Sequence, residues 1–213
     1  MISTRDLSEL PDIAQLRRLS QSLAMVDAIV CPAKNERCYW FFANEESAYM
    51  YNWGGDSYSI FFTNTGAILT GFAHEATMSP YTNEPPAPWA GVWDDFPEEF
   101  GYLLVVRPTQ TIESTFCIWR RTTDTAWQTG HINFPEGPDP DGSADLLSIL
   151  DGRPETYQQW VQNFYLAPVD LPSVQHIYEH HPLSEALVHQ LNPEAILADV
   201  EADAREIGYP FKP

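Results

Sequence analysis

With 213 residues, 44% hydrophobic and 13% aromatic, the chain carries enough apolar material for a substantial core, and its composition argues against disorder. Eleven Lys and Arg stand against thirty Asp and Glu, a formal net charge of −19. Such a surface repels phosphate backbones and anionic membranes, so neither nucleic-acid nor membrane binding is expected, and no apolar run approaches the roughly 20 residues that span a bilayer.

Leu7, Leu10, Ile13, Leu16, Leu19 and Leu23 recur at spacings of three and four, which predicts a helix with one apolar face. Pro11 suits a first helical turn, where its missing N–H is not needed. The helix proper is therefore expected from about Pro11 to Ala28, inside an N-terminal helical region 1–30. The opening MISTRDLSELPD has neither the basic start nor the apolar stretch of a secretory leader. Across 38–134 the pattern changes to short runs rich in Tyr, Phe, Trp and Ile: CYWFFA, SAYMYNW, YSIFFT and AILTGF. GGD at 54–56 and NTG at 64–66 fit tight turns between them, which predicts an antiparallel meander.

After Phe72 a proline-rich insertion, 80–97, leads into a short helix expected near Pro97–Val105. STFCIWRR then reads as a strand again, with Trp127–Phe134 as its partner across the turn TTDT. The region 143–208 is expected to be helical. Ser143 or Asp145 would cap ADLLSILDG, which Gly152 would end, and Pro154 would open the helix that places Tyr157, Trp160, Val161 and Phe164 on one face. LPSVQHIYEHHP, LSEALVHQL and NPEAILADVEADAREIG complete it, with Ser and Asn as caps. These elements predict one α+β domain over 1–213: an antiparallel sheet of about five or six strands with an N-terminal helix and a C-terminal helical segment.

Residues suited to chemistry are sparse. His74 and Glu75 sit side by side where a strand should end, and a histidine is the commonest general base. On a strand the two would point to opposite faces, so they are weak catalytic candidates, and no Ser, Cys or Asp partner stands at a triad-like spacing. The expected role of His74 is to organise the loop that leaves the strand. His176 and His180, four apart, would share a helix face and are the only pair with metal-ligand spacing, but a third ligand is missing. Asp139, Asp141 and Ser143 alternate as in a calcium loop, yet the position of its bidentate glutamate falls on Leu150. Cys31, Cys38 and Cys117 form no paired framework, which predicts reduced thiols and a cytoplasmic protein; no cofactor is expected, since the sequence carries no glycine-rich phosphate loop or dinucleotide fingerprint.

Charge placement carries more. No Lys or Arg occurs between Arg37 and Arg107, or between Arg153 and Arg205. A basic protein is the partner such a surface would attract. Trp89 and Trp93 flank the proline-rich loop and either pack on the sheet or anchor a partner, a role in which Trp is enriched. With Asp94, Asp95, Glu98 and Glu99 they form the candidate binding surface.

The blocks LAMVDAIVCP, GGDSYSIFFTNTGAILTGFAHEATMSPY, PEEFGYLL, TFCIWRR and LNPE…EIGYP resemble those of an uncharacterised bacterial protein family. More loosely, the chain is similar to the acidic immunity proteins of bacterial toxin systems, including the SMI1/KNR4-like group. That resemblance implies an α+β domain that binds a toxin. A non-catalytic acidic binding protein is therefore the expected function. The alternative is a hydrolase or metal-dependent enzyme built on His74 and Glu75 or on His176 and His180.

Overall fold

Six strands form an antiparallel sheet in chain order: β1 (Tyr39–Phe42), β2 (Ser47–Tyr51), β3 (Ser57–Phe62), β4 (Gly66–Phe72), β5 (Phe116–Arg121) and β6 (Gln128–Thr129). Eight α-helices accompany them among the described residues: α1 (Ile13–Val30), α2 (Gly101–Val106), α3 (Pro108–Glu113), α4 (Ser143–Leu146), α5 (Pro154–Phe164), α6 (Leu171–Tyr178), α7 (Glu185–Leu191) and α8 (Leu197–Ile207). The structure, a computed structural model, describes residues 1–106 and 108–212; Arg107 and Pro213, which the sequence reading included in the domain, lie outside them. The α+β class, with an N-terminal helix, an antiparallel sheet and C-terminal helices in chain order, is the class the sequence predicts. Two compact units make up the chain: Met1–Ile13 with Tyr51–Ser148, and Ala14–Met50 with Ile149–Pro213.

In the first unit β3, β4 and β5 pair in a register that puts Phe61, Ile68 and Trp119 in one row and Ser59, Thr70 and Cys117 in the next, all on one pleat. Ile68, Cys117 and Trp119 are buried there together with Met78, Val92 and Phe100, and Trp89, Trp93, Phe96 and Phe134 pack against them. From Trp89 onward the insertion is therefore an ordered layer over this pleat, whereas residues 81–87 are exposed. Two glycines let it come close. A Cβ on Gly91, whose φ is +92°, would lie 2.2 Å from the His131 carbonyl, and one on Gly130 would lie 1.9 Å from the Gly91 carbonyl. This approach draws the chain away from the sheet after Thr129, so the expected partner strand Trp127–Phe134 shrinks to two residues.

The N-terminal segment is tied to the same unit. Thr4 donates its hydroxyl to Asp141, and Thr4 N–H donates to the Ser143 hydroxyl at 3.0 Å. The Trp127 indole donates to the Pro11 carbonyl at 2.7 Å, so the predicted first turn is used as an acceptor and α1 starts two residues later, at Ile13. Neither Ser143 nor Asp145 caps α4. Gly142 precedes it with φ +75°, and the Asp139 carboxylate accepts from Ala144 and Asp145 N–H, because the PDPDG turn curls back over the helix start.

In the second unit α1 departs from the one-sided helix of the sequence pattern: from Leu19 to Ile29 every residue is buried. Its polar residues are paired inside. Ser22 donates to the Ile177 carbonyl (2.9 Å), Gln21 to that of Ile207 (3.0 Å), and Asp27 accepts from Cys38 N–H (2.8 Å), Tyr39 N–H (3.1 Å) and the Tyr157 hydroxyl (3.3 Å). Pro154 opens α5 and Ser184 caps α7 as expected. The last helix instead begins at Leu197, because Asn192 is spent on the Ile29 carbonyl (2.8 Å) and on a turn to Glu194 N–H.

Burial raises the Asp27 carboxyl to about 6, against its hydrogen bonds. A folded-state value above the unfolded one means a stabilisation present at low pH that is lost as pH rises through 4 to 6. Asp27→Asn, neutral throughout, should therefore gain on the wild type by about 2 kcal/mol between pH 4 and pH 7.5. Thermal melts of both proteins across that range check it, and a constant gap would refute the assignment.

Candidate functional site

His74 lies just past β4, and its partner comes from the β2–β3 turn. Asn52 organises that turn: its side-chain carbonyl accepts from Gly54 N–H (2.8 Å) and Asp56 N–H (3.0 Å), and its amide donates to Asp56 (2.9 Å). Asp56 Oδ1 then receives both the His74 backbone N–H (2.9 Å) and the ring Nδ1 (2.8 Å). The hydrogen bond to Asp56 raises the His74 pKa. Burial pushes Asp56 up, but the His74 and Asn52 hydrogen bonds hold it below the usual carboxylate range. Glu75 is exposed and its oxygen is 3.7 Å from His74 Nε2. Backbone and ring of one histidine on one carboxylate oxygen make a clasp that ties the strand exit to the preceding turn.

His176 and His180 do not share a helix face. α6 ends at Tyr178, and His180 has left it with φ +60°. The His176 ring meets the Pro182 carbonyl (3.2 Å) and the His180 ring meets the Arg18 carbonyl (3.1 Å), so the two serve chain-reversal contacts. Burial lowers the His180 pKa. Among the described residues no group of three His, Cys, Asp or Glu is placed to hold a metal ion. The three cysteines are buried thiols, and burial pushes Cys117 well up.

The acidic segment behaves differently. Trp89 and Trp93 are half-buried layer residues: their indoles donate to the Asn133 carbonyl (3.0 Å) and the Ser114 hydroxyl (3.1 Å), and Trp93 meets Phe96 edge to face at 5.0 Å. Of the two roles the sequence leaves open for them, packing on the sheet is the one this placement serves. Asp94, Asp95, Glu98 and Glu99 stay on the outside. Glu99 pairs with Arg121 (2.6 Å) and Asp95 approaches His131 (3.2 Å). Immediately after them comes α2, whose Tyr102, Val105 and Val106 stand at i, i+3 and i+4 on one helix face, and that face is exposed; Val105 is 79% accessible. Ile112 of α3 and Tyr81, whose hydroxyl donates to Glu113 (2.7 Å), are exposed as well.

Comparisons with protein families, curated proteins and solved structures give no match for this chain. What the site is good for rests on its own chemistry. Among the described residues no helix is long and apolar enough to cross a membrane.

Sequence reasoning missed Asp56 as the partner of His74, since the pair is joined only by the hairpin that brings residues 18 apart together. It also missed the outward apolar face of α2. The run GYLLVV carried that signal, because too few of its apolar residues can be buried by one short helix.

The raised His74 pKa means that the clasp stabilises the fold below the ordinary imidazole value and loses that contribution as pH rises through the shifted one. His74→Ala should thus lower the melting temperature more at pH 6 than at pH 9, and the His74 ring of the wild type, followed by NMR, should titrate above 6.5. An equal loss at both pH values, or titration below the ordinary value, would sink the clasp.

Proposed function

We propose that this chain is a non-catalytic, cytoplasmic binding protein that engages a basic protein partner, in the manner of the acidic immunity proteins of bacterial toxin systems. The carrying observation is the outward apolar face of α2, Tyr102, Val105 and Val106, lying directly after the exposed acids Asp94, Asp95, Glu98 and Glu99. An exposed apolar face that follows exposed acids in the chain suits a partner surface with both apolar and basic residues. The net charge of −19 supports long-range attraction of such a partner and disfavours nucleic acid. Trp89 and Trp93, which precede these acids in the chain, pack against the core.

A hydrolase built on His74 is supported less. Its Nδ1 is committed to the carboxylate that also holds its backbone, and Nε2 lies 3.7 Å from an exposed glutamate.

The test is affinity capture of partners from host lysate at low and high salt, with the wild type, Val105→Asp, and the double change Asp94→Lys with Glu98→Lys. One basic protein should be retained by the wild type and released as salt rises. Both variants should weaken it at least about tenfold, the cost of losing one interface contact of about 1.4 kcal/mol. Equal retention by all three proteins would dismiss this face as the contact surface.

A further inference from the structure

The second unit contains a cavity of about 160 Å³ between β1 and α8, and it is asymmetric in its chemistry. Ala24, Phe41 and Ile207 form a buried apolar wall. The opposite rim is ionic: Lys34 Nζ lies 2.9 Å from Asp203 and 3.1 Å from Glu206. Asp203 is only 3% exposed and also receives Arg37 Nη2 at 2.7 Å, whereas the Lys34 side chain is 62% exposed. Arg37 is itself locked, donating to the Cys31 and Pro32 carbonyls (2.9 and 3.2 Å).

We propose that this cavity is a binding site for a primary alkylammonium group, with Lys34 as the chain's own occupant of the cation position. The reasoning is one of charge and size. If Lys34 swings out to solvent, Asp203 keeps Arg37 while Glu206 and the second Asp203 oxygen lose their cation. An incoming ammonium restores the balance, so the exchange is electroneutral and avoids leaving a buried carboxylate under-paired. A neutral or anionic ligand does not restore it. The space suits a short hydrocarbon chain, such as that of butylammonium, rather than a bulky group. Its hydrocarbon part would lie on Ala24, Phe41 and Ile207 and its nitrogen between Asp203 and Glu206. The site uses no residue of the acidic face and stands or falls apart from the function proposed above.

Titration of the full chain with n-butylammonium, n-butanol and butyrate, followed by NMR shifts of the Phe41 and Ile207 signals, tests this. Lys34→Ala removes the internal competitor and should bind butylammonium at least about tenfold more tightly than the wild type, and Glu206→Gln should bind it more weakly. Both positions are solvent-exposed, so folding is checked by far-UV circular dichroism; if Lys34→Ala is unfolded, Lys34→Gln takes its place. A short peptide with one internal lysine separates the sources. Binding of peptide and butylammonium alike assigns the site to a lysine side chain of a protein, and binding of butylammonium alone assigns it to a small free amine. Butanol or butyrate binding as well as butylammonium, or no gain on removing the Lys34 side chain, would overturn the proposal.

Discussion

The central strands are buried on both pleats. Tyr58, Ile60, Leu69, Phe116 and Ile118 fill one pleat while Ile68, Cys117 and Trp119 fill the other, and all are less than a tenth exposed. A sheet with two apolar faces cannot leave either to water. Each large side chain removed from water contributes about 1.5–3 kcal/mol. On the second pleat of the first unit much of the covering material is not a regular helix but the segment 89–100, held by its own aromatic residues.

That constraint sorts the segment's side chains. Tryptophans and phenylalanines go down onto Trp119, with Phe96 edge to face at 5.6 Å, and the acids between them are left outside. The exposed acids and the exposed apolar face of α2 are what this arrangement leaves outside. Inside the protein the same surplus of carboxylates is handled with care. Asp27 is met by backbone N–H groups and tyrosine, Asp141 by the hydroxyls of Thr4 and Ser143, and Asp203 by Arg37 and Lys34. Each buried charge has donors of a different kind, as burial requires.

Regular elements were legible because local spacing encodes them. The α1 periodicity, the tight turns at 54–56 and 64–66, Pro154 at a helix start and the Ser184 cap all act over a few residues. What escaped depends on contacts distant in sequence. Leu19 to Ile29 look one-sided until the rest of the second unit closes round them, and Gly130 reads as an ordinary loop glycine until Gly91 meets it. The histidine pair looked like a shared helix face only because the end of α6 at Tyr178 was not visible in the spacing. The acids at 94–99 were readable as a surface, whereas the depth of Trp89 and Trp93 was not, since the same sequence suits an anchor or a floor.

The segment 89–100 is a fixed layer over the sheet, and the fold depends on it. Native-state hydrogen exchange of the full chain measures it directly, at the amides of Val92, Phe96 and Phe100, which donate to the Trp89, Trp93 and Pro97 carbonyls. These amides should be protected to within about tenfold of Ile68 and Leu69 in β4, opening only with the sheet itself. Exchange at the rate of an open loop, with β4 still protected, would show that the sheet does not depend on this layer.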